Sequence, residues 1–573
     1  MNKKVILREK GDEVVIRHLQ DVLGINEVLA TLLTQRGITT FDEAKTFFRP
    51  SLDDLHNPFL MKDMDRAIAR LNKALLQNEK ILIYGDYDVD GTTSVALVYS
   101  FLKKQFKQIG YYIPDRYSEG YGISFQGIDF AEANNFSLII ALDCGIKAVE
   151  KIDYANKKNI DFIICDHHTP GDKIPNAIAV LDPKRSDCEY PDKNLSGCGV
   201  GFKLLQAFSD SNGVSFEELY GLIDLTAVSI ASDIVPVIGE NRILAFYGLK
   251  KLYENPITGL KTIKTIAGVK DKKLTISDCV FKIGPRINAA GRIESGMSAV
   301  ELLISENSKD AHGFAKAIDI FNTERKELDR SITHDALRTI GTDIDLRNRK
   351  STVVYNKDWH KGVVGIVASR LTETYYRPTV VLGESNGMAS GSARSVSDYN
   401  VYDAINACSR LLESFGGHKF AAGLSLKVEN VEAFSECFEK YVSETITPEQ
   451  LVPVIQVDAE LKFSDIDRKF FNVMNQMAPF GPGNMSPVFI TKNVKDTGNS
   501  RRVGANKEHL KLEVVDKDGV IMPGIAFSFE PEYYEKMSSD SKPCFDICYS
   551  INKNEFHGKI NIQLSVKEII FVS

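Results

Sequence analysis

Residues 80–91 read KILIYGDYDVDG, and their reading decides the fold. Ile81 to Tyr84 is a short apolar run closed by Gly85, the composition of a strand buried on both faces. Such strands form parallel sheets, because the helices that connect them cover both sides. The pattern repeats outward along the chain. A helical stretch, VALVYSFLKKQF, is followed by IGYYIP, SLIIALD, DFIICD and AIAVLDP. Strands alternating with helices predict an α/β domain built on a parallel sheet.

Three of these strands run directly into acidic or imidazole side chains. ILIYG leads into Asp86, Asp88 and Asp90; SLIIAL into Asp143; DFIIC into Asp166, His167 and His168. A single aspartate after a strand is usually a turn former or a helix cap. Three such tips, one with tandem histidines, point to a site, since ligands of open parallel sheets bind beyond the carboxyl ends of the strands. Carboxylates gathered there would repel one another unless cations sit among them. Oxygen ligands with one or two imidazoles suit Mn²⁺ or Mg²⁺, and a pair of such ions supports in-line displacement at phosphorus. DYDVDG is not a calcium loop, because no glutamate follows at loop position 12.

With 573 residues the chain is too long for one core, and about three or four domains are expected. Hydrophobic residues at 43% and charged residues at 26% exclude a disordered or fibrous chain. No apolar run is long enough for a membrane span, and the charged first residues lack a signal-peptide core, so the expected location is the cytoplasm. The nine cysteines show no zinc-like pairing, and no disulfide framework is expected. Cys144, Cys165 and Cys198, near the candidate site, read as small buried hydrophobes. A net charge of -7 weighs weakly against nucleic-acid binding, which depends on local basic stripes rather than the total.

The organisation expected is an N-terminal segment over 1–55, a catalytic domain over 56–297, a linking helix region over 298–345, a smaller α/β domain over 346–447, and a C-terminal β-barrel over 448–573. Apolar residues at Ala311, Ala315, Ile318 and Phe321, then Leu328, Ile332, Ala336 and Ile340, set the long helix. Short strands separated by turn residues after 450 suggest an OB-like barrel.

DYDVDGTTS, LDCG, CDHH and ASDIVP, in that order, resemble the four motifs of the DHH phosphoesterase superfamily. The resemblance implies that Asp88, Asp90, Asp143, His167 and Asp233 are metal ligands, with Asp143 bridging two ions. It further implies that His168 faces the scissile phosphate and that Asp166 orients a neighbour. Asp86 occupies an acidic position of the RecJ branch, where direct ligation and a supporting role both stay open. FKIGPRINAAGRI resembles the segment that closes the catalytic lobe in that branch. Asn322 and Arg325 sit where its linking helix begins. DWHKGVVGIVASRL, GSARS and GGHKFAAG resemble its DHHA1 domain, and PFGPGN followed by EHLKL resembles its OB domain. Ala393 stands where a second glycine is expected, a change that would alter backbone approach to a phosphate. Lys361 is an added cation at a variable position.

Phosphodiester substrates need cations outside the metal pair. Arg116 and Tyr121 lie in the loop after IGYYIP, Arg286 and Arg292 bracket a small-residue turn, INAAG, and Ser392, Arg394, Gly417 and His418 come from the second domain. Arg501, Arg502 and Lys507 could track a backbone along the barrel. His360 reads equally as structural or functional, and Trp359 as packing.

The acidic tips predict a two-metal phosphoryl hydrolase, and the resemblance implies that it is a metal-dependent, single-stranded-DNA-specific 5′-to-3′ exonuclease that releases 5′-mononucleotides in DNA repair and recombination. Its expected partners are the single strand, a helicase and a single-strand-binding protein, and its expected state is a monomer. One rival is a phosphodiesterase of the same superfamily acting on short oligonucleotides or 3′-phosphoadenosine-5′-phosphate. Another is a non-catalytic single-strand-binding scaffold, which predicts eroded metal ligands.

Overall fold

The strand Ile81–Gly85 (β1) is buried at every residue, and the helix Val89–Leu102 (α1) that follows is buried at every residue but Tyr99. This comes from a computed structural model that describes residues 3–571 except 117, 294, 386, 540–542 and 557–558. The chain divides into two units. One comprises His56–Val235 and Tyr247–Pro453; the other comprises Met1–Leu55, Pro236–Phe246 and Val454–Ser573.

In the first unit, β1 and α1 are followed by β2 (Ile109–Tyr112), α2 (Phe125–Ala133), β3 (Leu138–Leu142), α3 (Val149–Lys157), β4 (Asp161–Cys165) and β5 (Ala179–Leu181). The five strands form one parallel sheet in the order β2-β1-β3-β4-β5, as the alternation predicts. Register fixes what happens at its edge. Gly85 lies opposite Leu142, Leu142 opposite Cys165, and Cys165 opposite Leu181. The next residue of each strand is an aspartate, so Asp86, Asp143, Asp166 and Asp182 fall in one row. Two further helices, α4 (Gly197–Asn212) and α5 (Ile223–Ser232), pack against α1.

GPRINAAGRI is not a turn. Gly284–Ile293 is a helix (α6), and its small residues serve close helix packing: a Cβ on Gly291 would lie 2.7 Å from the Tyr87 carbonyl oxygen. The long helix (α7) runs Ser308–Thr342, capped by Asn307, and a separate short helix, Met297–Ile304, precedes it. Its 35 residues span about 50 Å. Asn322 and Arg325 therefore lie inside the helix rather than at its start. Asn322 and Asp329 are buried in its apolar stripe, and Asp329 accepts from Arg370 at 2.7 Å.

After α7 come β6 (Thr352–Tyr355), α8 (Val364–Tyr375), β7 (Thr379–Ser385), β8 (Met388–Arg394), α9 (Val401–Ala407), β9 (Ser414–His418), β10 (Ala421–Lys427) and α10 (Val431–Thr445). Their sheet order is β9-β10-β8-β7-β6, and only β6 and β7 are parallel. The methyl of Ala393 is buried in this lobe's core rather than standing toward a ligand. Trp359 is buried, its indole N–H donating to Asp335, which is the packing role expected. Cys408 and Cys437 form a disulfide, contrary to the expectation of free thiols throughout: the end of α9 and the middle of α10 bring their Cα atoms to 6.1 Å. Cys144, Cys165 and Cys198 are free and buried.

The second unit holds a seven-stranded sheet that closes because Phe489–Asp496 pairs with both Phe545–Phe556 and His509–Val515. The N-terminal segment joins this barrel. Lys4–Leu7 pairs with Val454–Val457, and Leu19, Leu29, Leu32 and Leu33 share one core with Phe489, Leu512, Phe545 and Tyr549. The short stretch Pro236–Phe246 belongs here too. Arg242 donates to the carbonyls of Phe47, Met477, Ala478 and Pro479.

Candidate active site

Two glycines let the aspartate row exist. A Cβ on Gly91 would lie 2.3 Å from the Asp86 carbonyl oxygen, and one on Gly197 would lie 2.6 Å from the Asp143 Cβ. Only glycine lets α1 and α4 begin so close to the strand ends. Asp143 itself adopts φ 58°, a left-handed conformation that aspartate tolerates better than most side chains.

Helix starts hold the other acids. Asp88 caps α1, accepting from the Gly91 amide at 3.0 Å. Asp90 accepts from the Gly197 and Cys198 amides at 2.7 and 2.9 Å and from the Ser229 hydroxyl at 2.7 Å, so the N-terminus of α4 fixes it. Asp233 ends α5.

His167 draws these acids together. Its Nε2 lies 3.2 Å from Asp143 Oδ1, 3.5 Å from Asp233 Oδ2 and 3.7 Å from Asp90 Oδ2. Among the described residues, neither His167 ring nitrogen, nor Asp143 Oδ1, nor Asp86 Oδ2 makes a hydrogen bond, although all four atoms are buried. Buried polar atoms without partners are costly in a folded protein. Burial, then Asp90, Asp88, Asp233 and Asp166, push the Asp143 carboxyl well above its ordinary range. Burial, then Asp90 and Asp88, push Asp233 up to about 8. Burial lowers His167 below the usual histidine value despite the facing Asp90, which favours the neutral, ligating imidazole. Clustered carboxylates around a neutral imidazole with unpaired nitrogens are a donor set that fits divalent cations. Among the described residues two groups have the spacing for an ion, Asp90 with His167 and Asp233, and Asp143 with His167 and His168. Asp86 and Asp88 fall in neither group, and Asp86 Oδ1 instead faces the Gly122 amide at 3.4 Å.

His168 is held at both nitrogens. Nδ1 lies 2.7 Å from Asp166 Oδ1, and Nε2 lies 3.3 Å from the Tyr121 hydroxyl. Burial alone would lower its pKa, but the Asp166 hydrogen bond and charge override it and hold the imidazole at about 9. Asp166 also accepts from the amides of Ile146, His167 and His168. Burial would raise this carboxyl; the His168 hydrogen bond and charge, with the Ile146 amide, keep it at about 2.

A group of cations borders the acids. The Arg116 guanidinium lies 5.0 Å from the Tyr87 ring centre, and Tyr87 meets Tyr121 edge-on at 6.0 Å. Arg292 donates to the Gly362 carbonyl at 2.9 Å, linking α6 to the HKG loop of the second lobe. Arg394 donates to Ser392 Oγ at 2.6 Å. Burial, then Arg116, Arg325 and Arg394, bring Arg292 down to about 10, so four guanidiniums repel within one region. Gly417 adopts φ 149°, which lets the tip of β9 turn tightly into β10. The next residue, His418, is lowered by burial and then by the charges of Lys147, His168 and Lys184.

Arg286 is turned elsewhere. Its Nε donates to Asp319 of α7 at 2.9 Å and its Nη1 to the Lys282 carbonyl, so it ties two helices together. Sequence reasoning missed Asp182, the fourth member of the row. Burial pushes it up to about 7, and the LDP at the end of the β5 run carried its signal. It missed Lys147 and Lys184 as well, which follow the acidic tips by a few residues.

Three family models match the chain: the DHH family, N-terminal domain, over residues 80–230; the DHHA1 domain over 348–444; and the RecJ OB domain over 457–568. The chain is 36% identical to the single-stranded-DNA-specific exonuclease RecJ of Bacillus subtilis over 567 residues, which is 98% of this chain and 70% of that protein. It is 30% identical to the protein of the same name from Escherichia coli over 533 residues, 89% of this chain and 90% of that one. Among solved structures, RecJ of Thermus thermophilus in complex with Mn²⁺ matches 99% of this chain and 79% of its own at 24% identity, with a TM-score of 0.83. A crystal structure of exonuclease RecJ bound to manganese matches 68% of this chain and 96% of its own at 29% identity, with a TM-score of 0.59.

Proposed function

The chain belongs to the RecJ family of single-stranded-DNA-specific exonucleases, and on that premise we propose how its residues divide the work. It is a metal-dependent exonuclease acting on single-stranded DNA, with Mn²⁺ or Mg²⁺ as cofactor. The carrying observation is the aspartate row around His167, whose buried ring nitrogens have no hydrogen-bond partner. Asp88, Asp90, Asp143, His167 and Asp233 would hold two cations, and Asp86 would support them from beneath the Gly122 amide. Bound there, the cations would neutralise the carboxylates and the charge developing on a phosphodiester during in-line displacement.

The remaining residues bind and orient. Asp166 holds His168 charged toward the scissile phosphate. Arg116, Arg292, Ser392, Arg394 and His418 receive phosphate oxygens, with Gly417 allowing backbone approach and Tyr121 presenting a ring to a base. Digestion runs 5′ to 3′ and releases 5′-mononucleotides in repair and recombination. A helicase and a single-strand-binding protein supply the strand in the cytoplasm, to a monomeric enzyme. Among the described residues no helix is long and apolar enough to cross a membrane. A short-oligonucleotide or 3′-phosphoadenosine-5′-phosphate phosphodiesterase is disfavoured by the barrel, and a non-catalytic scaffold by the intact acids.

Digestion of 5′- and 3′-labelled single strands with Mn²⁺ or Mg²⁺, against duplex and RNA controls, tests this reading. Label released first from the 5′ end as a mononucleotide is expected. Release from the 3′ end, or none from strands longer than a dinucleotide, would overturn it.

A further inference from the structure

Arg116 and Tyr121 sit on the loop between β2 and α2, and both are at least partly exposed. A solvated loop does not hold side chains in place unless something pins its backbone. One carboxylate does so. Glu119 accepts from the Tyr112 hydroxyl at 3.0 and 3.1 Å, from the Asp115 amide at 2.8 Å, and from the Ser124 hydroxyl. These donors stand at the start, the middle and the end of the loop. Each connects to something rigid. Tyr112 closes β2 and stacks on buried Tyr84. Ser124 caps α2 through the Gly127 amide at 2.8 Å and donates its own amide to the Tyr84 hydroxyl at 3.2 Å. Asp115 turns back on Ser118 with both its backbone and its side chain engaged, as the Glu119 amide donates to its carbonyl at 2.9 Å. Beyond Tyr121, the Gly122 amide faces Asp86 of the aspartate row.

We propose that Glu119 is a positioning residue for the exonuclease reaction: its carboxylate fixes the loop that presents Arg116 and Tyr121 to the incoming single strand. The role rests on the exonuclease reading above. Glu119 touches neither His167 nor any acid of the row in the contacts described, so it acts on strand binding rather than on the metal centre. A glutamine keeps the shape but loses the charge, and its N–H₂ would require the Ser124 hydroxyl to accept rather than donate; an alanine loses all three contacts.

The test compares wild type with Glu119→Ala and Glu119→Gln, each alone and in an Arg116→Ala/Tyr121→Ala background. KM and kcat on a single-stranded oligonucleotide, and Mn²⁺ affinity by calorimetry, are read for each. Glu119→Ala is expected to raise KM about ten- to hundredfold with kcat within about threefold, and Glu119→Gln to fall between it and wild type. Mn²⁺ affinity should stay within about twofold, and in the doubly substituted background the added effect should shrink below about twofold, since residues acting through one another are not additive. An unchanged KM, a full additional effect in that background, or loss of Mn²⁺ binding would overturn the role. If Glu119→Ala does not fold, Glu119→Gln decides by the same readings. A wild type that leaves single strands intact sinks the exonuclease reading itself, whereas an active wild type with unaffected variants sinks only the role of Glu119.

Discussion

Along the parallel sheet, four aspartates follow four strands in register, buried and one residue beyond each strand end. Around them, the cations come from separate places: the loop after β2, α6, α7 and the end of β8. Local chain geometry makes the acidic row, because register and a glycine or two suffice to align it. Only the assembled lobe makes the cationic rim, because its members are far apart in sequence and most are half-buried.

That contrast predicts a graded set of losses. Asp143→Ala removes the acid nearest His167, and single-strand digestion with Mn²⁺ should fall at least about a thousandfold. The same variant, stripped of metal, should melt above wild type at neutral pH, because it loses a buried carboxylate whose neighbours repel its charge. Near-normal digestion would break the comparison at its centre. Arg394→Ala should cost about ten- to hundredfold, chiefly in KM, as a charged hydrogen bond is lost while the other cations remain. A loss as deep as that of Asp143→Ala would mean the rim is no more tolerant than the row. Arg286→Ala should do least. Its ion pair with Asp319 joins α6 to α7, so about 1 kcal/mol of stability should be lost in denaturant melts with activity within about twofold. A large KM effect there would return Arg286 to the substrate side.

Legibility followed the same divide. The parallel sheet and the acidic tips of its strands were readable because strand periodicity is local. INAAG was misread as a turn, since small residues that pack a helix against the Tyr87 backbone look like the small residues of a loop. Arg286 was misassigned because sequence places it one helix away from Arg292 without saying which side each faces. The linking helix region was opened at 298, ahead of α7, because the apolar residues of the short helix Met297–Ile304 run on toward its rhythm up to the cap at Asn307. The pairing of Cys408 with Cys437 was invisible, being fixed only when α9 and α10 pack. Asp182 was passed over because Asp-Pro after a strand is an ordinary turn.

The eleven residues Pro236–Phe246 leave one unit for the other and return, three positions after Asp233. Arg242 anchors that excursion on four carbonyls of its host. For heredity this means the barrel is not a cassette. A recombination event that trades everything after residue 453 also strands an arginine, just downstream of Asp233, three of whose four acceptors came with the lost partner. Exchanging the barrel whole requires that Pro236–Phe246 and the N-terminal segment be exchanged with it.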